Sequence, residues 1–279
     1  NDGYDDLLIG GTGSRSYVGA AWLVYGSASV SGSADISDVA DADFAGRGST
    51  YDYFGRDLYA LGDLDGDGYD DFSIGVYSED EAAYAAGEVY LFMGSTTAMS
   101  GSYTYADADI TFQGPYDGYL GYRDTVGSTD LDGDGNLDIL LGAYYGGASY
   151  SGAVYVHYGA LSAGSYDAEA DADAEIAGDS RSYDYFGHKV FANPDGWDID
   201  GDGYDDFAVF EYYGNNDTGA VHVFNGGSTQ WSGDYSASST EQFVVVGDTS
   251  FDYFGRAGVV DDLNGDGSAD LALGAGGYD

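Results

Sequence analysis

The residues Asp63-Leu64-Asp65-Gly66-Asp67-Gly68-Tyr69-Asp70-Asp71 set a carboxylate at every other position around a Gly-Asp-Gly turn. The chain writes the same arrangement again as DLDGDGNLD at 130–138, DIDGDGYDD at 198–206 and DLNGDGSAD at 262–270, with a partial copy, DGYDD, at 2–6. Counting from the first Asp, positions 1, 3, 5 and 9 are Asp or Asn and position 6 is always Gly, while position 7 varies through Tyr69, Asn136, Tyr204 and Ser268. Like charges at this density repel one another unless a cation sits among them. Hard oxygen donors at alternating positions, with glycine for a sharp turn, suit Ca²⁺, which takes roughly six to eight oxygen ligands. Variation at position 7 is expected of a residue that lends only its backbone carbonyl. Neither Cys nor His occurs in the loops, which disfavours softer metals. An EF-hand would carry a bidentate Glu at position 12 between two helices; here position 12 is Ile74, Leu141, Val209 or Leu273, in strand-like sequence. The expectation is one Ca²⁺ for each of the four complete loops, held more weakly in the fourth, where Asn264 replaces an Asp. A bare acidic turn without metal is the alternative, and in-phase recurrence weighs against it.

The loops start 67, 68 and 64 residues apart, and other features keep the same phase. Before each loop stands YDYFGRDL (51–58), YDGYLGYRD (116–124), YDYFGHKV (183–190) or FDYFGRAG (251–258); after it comes FSIGVY (72–77), ILLGAY (139–144), FAVFEY (207–212) or LALGAG (271–276). Farther on lie GEVYLFMG (87–94), GAVYVHYG (152–159) and GAVHVFNG (219–226). These apolar and aromatic runs have strand length and are punctuated by Gly, Asp, Ser and Asn, with no sustained helical period. Each unit thus reads as four strands: A at the FG element, B after the acidic loop, C at the VYLF element and D at ADITFQG (108–114) or its equivalents. Four-stranded units repeated radially make a β-propeller. The sequence therefore predicts an all-β chain of four-stranded antiparallel blades, with a calcium loop joining the first two strands of each. The expected divisions are 1–53 (a partial blade), 54–118, 119–185, 186–253 and 254–279 (the start of a further blade). Strand B is written five times and strand A four, so the sequence reads as a window on a longer array.

With 50 acidic residues against 7 basic ones the formal net charge is −43, a surface that repels nucleic acid and anionic membranes. A 43% hydrophobic and 16% aromatic content still allows a packed β core. There is no Cys, and no apolar run is long enough to span a bilayer.

The YFG element, the DxDGDGxxD loop, the following IGVY or LGAY and the period near 67 together resemble the FG-GAP repeats of the integrin α-subunit β-propeller and its bacterial relatives. The resemblance covers essentially the whole chain and implies a seven-bladed ring of which about four blades are present. Carried over by position, it implies ligands Asp63, Asp65, Asp67, the Tyr69 carbonyl and Asp71 in the first complete loop, and Asp130, Asp132, Asp134, Asn136 and Asp138 in the second. Asp198, Asp200, Asp202, Tyr204 and Asp206 would serve the third, and Asp262, Asn264, Asp266, Ser268 and Asp270 the fourth, with Asp2, Tyr4 and Asp6 left of a partial site. The Pro usual after Gly-Ala in this family is absent, and Val209-Phe210-Glu211 loses the Gly as well. Partner recognition in the family lies opposite the calcium loops, where 78–87, 145–152 and 213–219 offer Tyr-, Ser- and Asn-rich connections.

His157 and His222 fall in aromatic columns of strand C and read as packing residues, whereas His188 shares the slot after FG with Arg56 and Arg256. That slot reads as a counter-charge to the acidic loops, so that Arg56→Ala should destabilise more than Arg47→Ala. No catalytic triad or phosphate loop stands out among the repeated Asp. The function expected is a calcium-stabilised extracellular or cell-surface module for adhesion or for binding a protein or glycan, with no chemistry of its own, no nucleic-acid partner and no direct membrane insertion. Self-association, a place in a surface filament or sheath, and attachment to an enzyme domain outside the window are the other readings.

Overall fold

Runs of four to six residues that alternate apolar side chains with Gly, Ser and Thr extend as strands and cannot sustain a helix. The structure is a computed structural model and describes residues 3–28, 32–48, 51–77, 85–147, 150–179, 183–261, 263–265 and 270–277. Its helical segments, among the described residues, are single turns of three or four residues.

The first unit contributes β1 (Leu7–Gly10), β2 (Ala20–Val24) and β3 (Ala42–Ala45). The second contributes β4 (Leu58–Gly62), β5 (Asp71–Val76), β6 (Glu88–Phe92), β7 (Gly101–Thr104) and β8 (Ile110–Gln113). The third repeats this as β9 (Val126–Thr129), β10 (Asp138–Ala143), β11 (Ala153–His157), β12 (Gly164–Asp167) and β13 (Ala174–Ala177). The fourth follows with β14 (Phe186–Phe191), β15 (Phe207–Glu211), β16 (Ala220–Phe224), β17 (Gly233–Ser236) and β18 (Phe243–Val246), and a hairpin of β19 (Phe254–Asp261) and β20 (Asp270–Ala275) comes last. Within a unit the strands run antiparallel in the order A–B–C–D, as in β4-β5-β6-β8. These sheets are β-propeller blades, and the acidic loops at 63–70 and 130–137 are the A–B hairpin connections.

To the four antiparallel strands of a blade the next unit adds an outer strap, which makes the second and third sheets five-stranded. β7, β12 and β17 leave the C–D connection of their own unit and pair in parallel with β3, β8 and β13 of the unit before. The anchor of each such strap is its tyrosine: Tyr103 stacks on Phe44 at 5.2 Å and Tyr166 packs on Phe112 at 5.5 Å. Straps close the outer edge that D strands would otherwise leave open. Among the described residues β18 carries no strap, and Phe243, Val244 and Val246 are 40–43% exposed there.

The core lies between blades. Leu61, Val89, Ile110 and Phe112 of the second blade pack against Ile139, Leu141 and Tyr155 of the third. A matching layer joins Leu140, Val154 and Ile176 to Phe186, Val209 and Phe224.

Candidate functional site

The acidic loops are built around their ninth residue. Asp71, Asp138 and Asp206 open strand B and are almost fully buried. Each accepts two backbone N–H groups, one from loop position 2 and one from the second residue after strand C. Asp71 takes Leu64 at 2.8 Å and Gly94 at 2.6 Å; Asp138 takes Leu131 at 2.9 Å and Gly159 at 2.7 Å; Asp206 takes Ile199 at 2.8 Å and Gly226 at 3.0 Å. Position 1 folds the turn over itself, as where Asp198 accepts the N–H groups of Gly201, Asp202 and Gly203.

With the loop wound this way, positions 1, 3 and 9 converge. Asp63, Asp65 and Asp71 each bring one oxygen within 4.8 Å of the others, and so do Asp130, Asp132 and Asp138, and Asp198, Asp200 and Asp206. Position 5 lies outside these triads; Asp67, Asp134 and Asp202 accept the N–H of position 7 at 2.9, 2.8 and 3.0 Å. In the fourth loop Asp262, Asp266 and Ser268 lie outside the described residues, as does Asp2 of the partial copy. There Leu263 still donates to Asp270 at 3.1 Å, and Asp6 accepts Gly26 at 2.8 Å.

Burial, reinforced by the neighbouring carboxylates, pushes the carboxyls of Asp71 and Asp206 up to about 6 and that of Asp138 to about 7, against the lowering effect of their backbone bonds. Three carboxylates facing one another, with no ion-pair partner among the described residues, form an electrostatically frustrated group, which a dication relieves. Asp63 also holds a buried carboxylate oxygen, Oδ1, that no donor in the structure reaches. The all-oxygen donor set and that unanswered oxygen fit a hard divalent ion.

The profile of the FG-GAP repeat matches residues 54–92, 123–157 and 196–224, each spanning an acidic loop and the strands around it. Integrin alpha-V of Gallus gallus is 30% identical over 61% of the chain, and integrin alpha-PS2 of Drosophila melanogaster 32% identical over 58%. The chain carries FG-GAP repeats over those residues. Its propeller resembles that of the integrin α-subunit. A phosphatidylinositol-glycan-specific phospholipase D of Dictyostelium discoideum is also 28% identical over 68% of the chain. The chain spans 15%, 12% and 22% of the lengths of these three relatives.

The glycines of the FG-GAP element have a packing reason. A methyl group on Gly142 of strand B would sit 2.3 Å from the carbonyl oxygen of Gly187, the FG glycine of the next blade, and one on Gly75 would meet Gly121 at 2.7 Å. Blade contact at this point is backbone on backbone. Phe210, which takes the place of that strand-B glycine in the fourth unit, packs instead over Gly255, where a Cβ would lie 2.8 Å from its ring.

At the end of the strands opposite the acidic loops, Tyr53, Tyr119, Tyr185 and Tyr253, each two residues before the FG-type glycine, hold φ of 59°, 55°, 61° and 50°. Their rings join a continuous stack that includes Tyr77 on Tyr53 at 5.3 Å and Tyr212 on Tyr253 at 4.8 Å. Arg56 belongs to this face. It lies over Tyr77 at 5.7 Å and Tyr122 at 5.3 Å, so the counter-charge role expected beside the acidic loops is overturned: the FG slot and the loop occupy opposite ends of strand A. Of the connections expected to form this face, 78–84 and 148–149 lie outside the described residues.

His157 packs as expected, buried against Phe112 at 4.7 Å, with its Nε2 3.1 Å from the Ala168 carbonyl. His222 does more than pack. It bridges Glu211 of β15, at 3.2 Å, and Glu241 in the approach to β18 through one imidazole on β16. The ion pair of Arg47 with the buried Glu88, 3.0 and 3.1 Å to its two oxygens, is a further charge contact that sequence reading missed.

Proposed function

We propose that the chain is a segment of a calcium-stabilised, adhesion-type propeller, exported from the cell, whose acidic loops hold one Ca²⁺ each and whose opposite face binds a protein or glycan. The observation that carries the calcium reading is the convergence of positions 1, 3 and 9 around the unanswered Oδ1 of Asp63. In each loop the side chains of those positions would hold the ion, with position 5 and the position 7 carbonyl completing its oxygen shell; in the fourth, Asp262, Asn264, Asp266, Ser268 and Asp270 would do the same. The divisions at 53/54, 118/119, 185/186 and 253/254 are the blade boundaries of this reading. Surface location agrees with sites that fill at the roughly millimolar calcium found outside cells.

Bound calcium supplies charge compensation, and the protein supplies a hairpin that is already wound by its own Asp-to-backbone bonds. Metal binding and folding are therefore coupled. The test is a thermal melt with calcium and with chelator, at low and high monovalent salt. A large calcium-dependent rise in midpoint at both salts supports the reading; an unchanged midpoint at both defeats it.

The likeness to a phospholipase D favours a second reading, in which this propeller is a non-catalytic part of a larger enzyme. Loss of hydrolytic activity from a chain cut down to residues 1–279, with binding retained, would separate the two.

A further inference from the structure

Cations are scarce in this chain and they gather. Of its seven Lys and Arg residues, Arg123, Lys189 and Arg256 line one cavity of about 330 Å³ on the face away from the acidic loops. Three successive units build it. Arg123 and Tyr144 come from the third, His188, Lys189 and Tyr212 from the fourth, and Arg256 from β19.

The carboxylate in the lining, Asp124, already pairs with Lys189 at 3.0 Å. Arg123 and Arg256 have no ion-pair partner among the described residues. Burial, together with Arg256 and Arg123 beside it, pushes His188 down to about 4, so its ring is neutral and adds no charge. It packs between Tyr144 at 5.2 Å and Tyr212 at 4.9 Å. The cavity thus holds a surplus of two positive charges within a chain of net charge −43. On its wall Tyr185, at φ 61°, is held by a hydroxyl contact with Tyr145 at 2.9 Å.

We propose that this cavity binds an acidic sugar, a pyranose bearing one carboxylate, with Arg123 and Arg256 on the carboxylate and the tyrosine rings against the sugar's C–H face. Guanidinium forks match a carboxylate in two parallel hydrogen bonds. Tyrosine offers an apolar ring and a polar tip, which suits a ligand that is both. A volume near 330 Å³ stands at the small end of ligand pockets, roughly 300–1,000 Å³, which leaves a bare inorganic anion loose. The size of the surrounding negative charge disfavours a polyanion, because the local surplus acts only within about 10 Å at ~0.1 M salt.

This inference rests on reading the propeller as a binding module. Its test is calorimetric titration of the calcium-loaded chain with D-glucuronate, D-glucose, acetate and inorganic phosphate, in about 0.5 M NaCl so that long-range repulsion is screened. Saturable one-to-one binding of glucuronate is expected, at least tenfold tighter than glucose or acetate. Arg123→Gln and Arg256→Gln should each weaken it at least tenfold while keeping the calcium-dependent melting midpoint. The proposal is overturned if glucuronate gives no saturable heat, if glucose or phosphate binds as tightly, or if both variants bind like the parent. A calcium-raised midpoint without glucuronate binding sinks the cavity alone, whereas glucuronate binding without a calcium effect sinks the loop reading alone.

Discussion

Arg47 and Arg56 carry the same charge into different surroundings. Arg47 grips both oxygens of Glu88, which is only 1% exposed, so Arg47→Ala leaves a buried carboxylate bonded to the Tyr90 hydroxyl but without this cation. That loss is expected to be about 3 kcal/mol, read as a fall in urea midpoint. Arg56 only covers tyrosine rings, and Arg56→Ala should lose about 1 kcal/mol. The order is the reverse of the one the sequence predicts. Column matching found the slot shared by Arg56 and Arg256, but it could not say at which end of the strand the slot lies, and Glu88 is 41 residues from Arg47 in a column that does not repeat. His222 carries a pH signature. Burial alone would lower it, but the hydrogen bonds to Glu211 and Glu241 outweigh that and hold it above its usual 6.5. A raised folded value means that the stabilisation is complete below about pH 6.5 and is lost as pH rises through the folded value. The midpoint difference between the parent and His222→Gln should therefore shrink from about pH 6 to pH 9; a constant difference would show that the imidazole contributes no charge.

At the scale of elements, the close approach of blades makes a second prediction. Gly142→Ala places a methyl 2.3 Å from the Gly187 carbonyl, a backbone atom that cannot swing aside, and should cost about 3 kcal/mol by forcing the blades apart. Gly135→Ala in an acidic loop meets nothing within 4 Å and pays only for its φ of 89°, about 1 kcal/mol. Equal losses in the two variants would refute the packing account. Strands A to D were legible because their apolar runs recur with the loops. The straps were not, since their exposed backbone carries a single inward tyrosine where a core strand carries two or three apolar residues. A faint signal was present in GSYT, GSYD and GDYS, at 101–104, 164–167 and 233–236. Removing that tyrosine in Tyr166→Ala should cost about 2 kcal/mol, less than a fully buried ring because one side faces water.

For the whole molecule, the acidic triads and the blade order followed from periodicity, while the tyrosine face and its cations did not, because the cavity forms only where the FG elements of three successive units meet side by side. The straps have one more consequence. Since the first three sheets are each finished by a segment of the following unit, no single stretch of about one period encodes such a sheet whole. A gene that gains or loses one period, wherever the break falls, inserts or removes one strap together with one edge to receive it, so heredity can lengthen or shorten such a ring without ever having to cut along the boundaries of its folded parts.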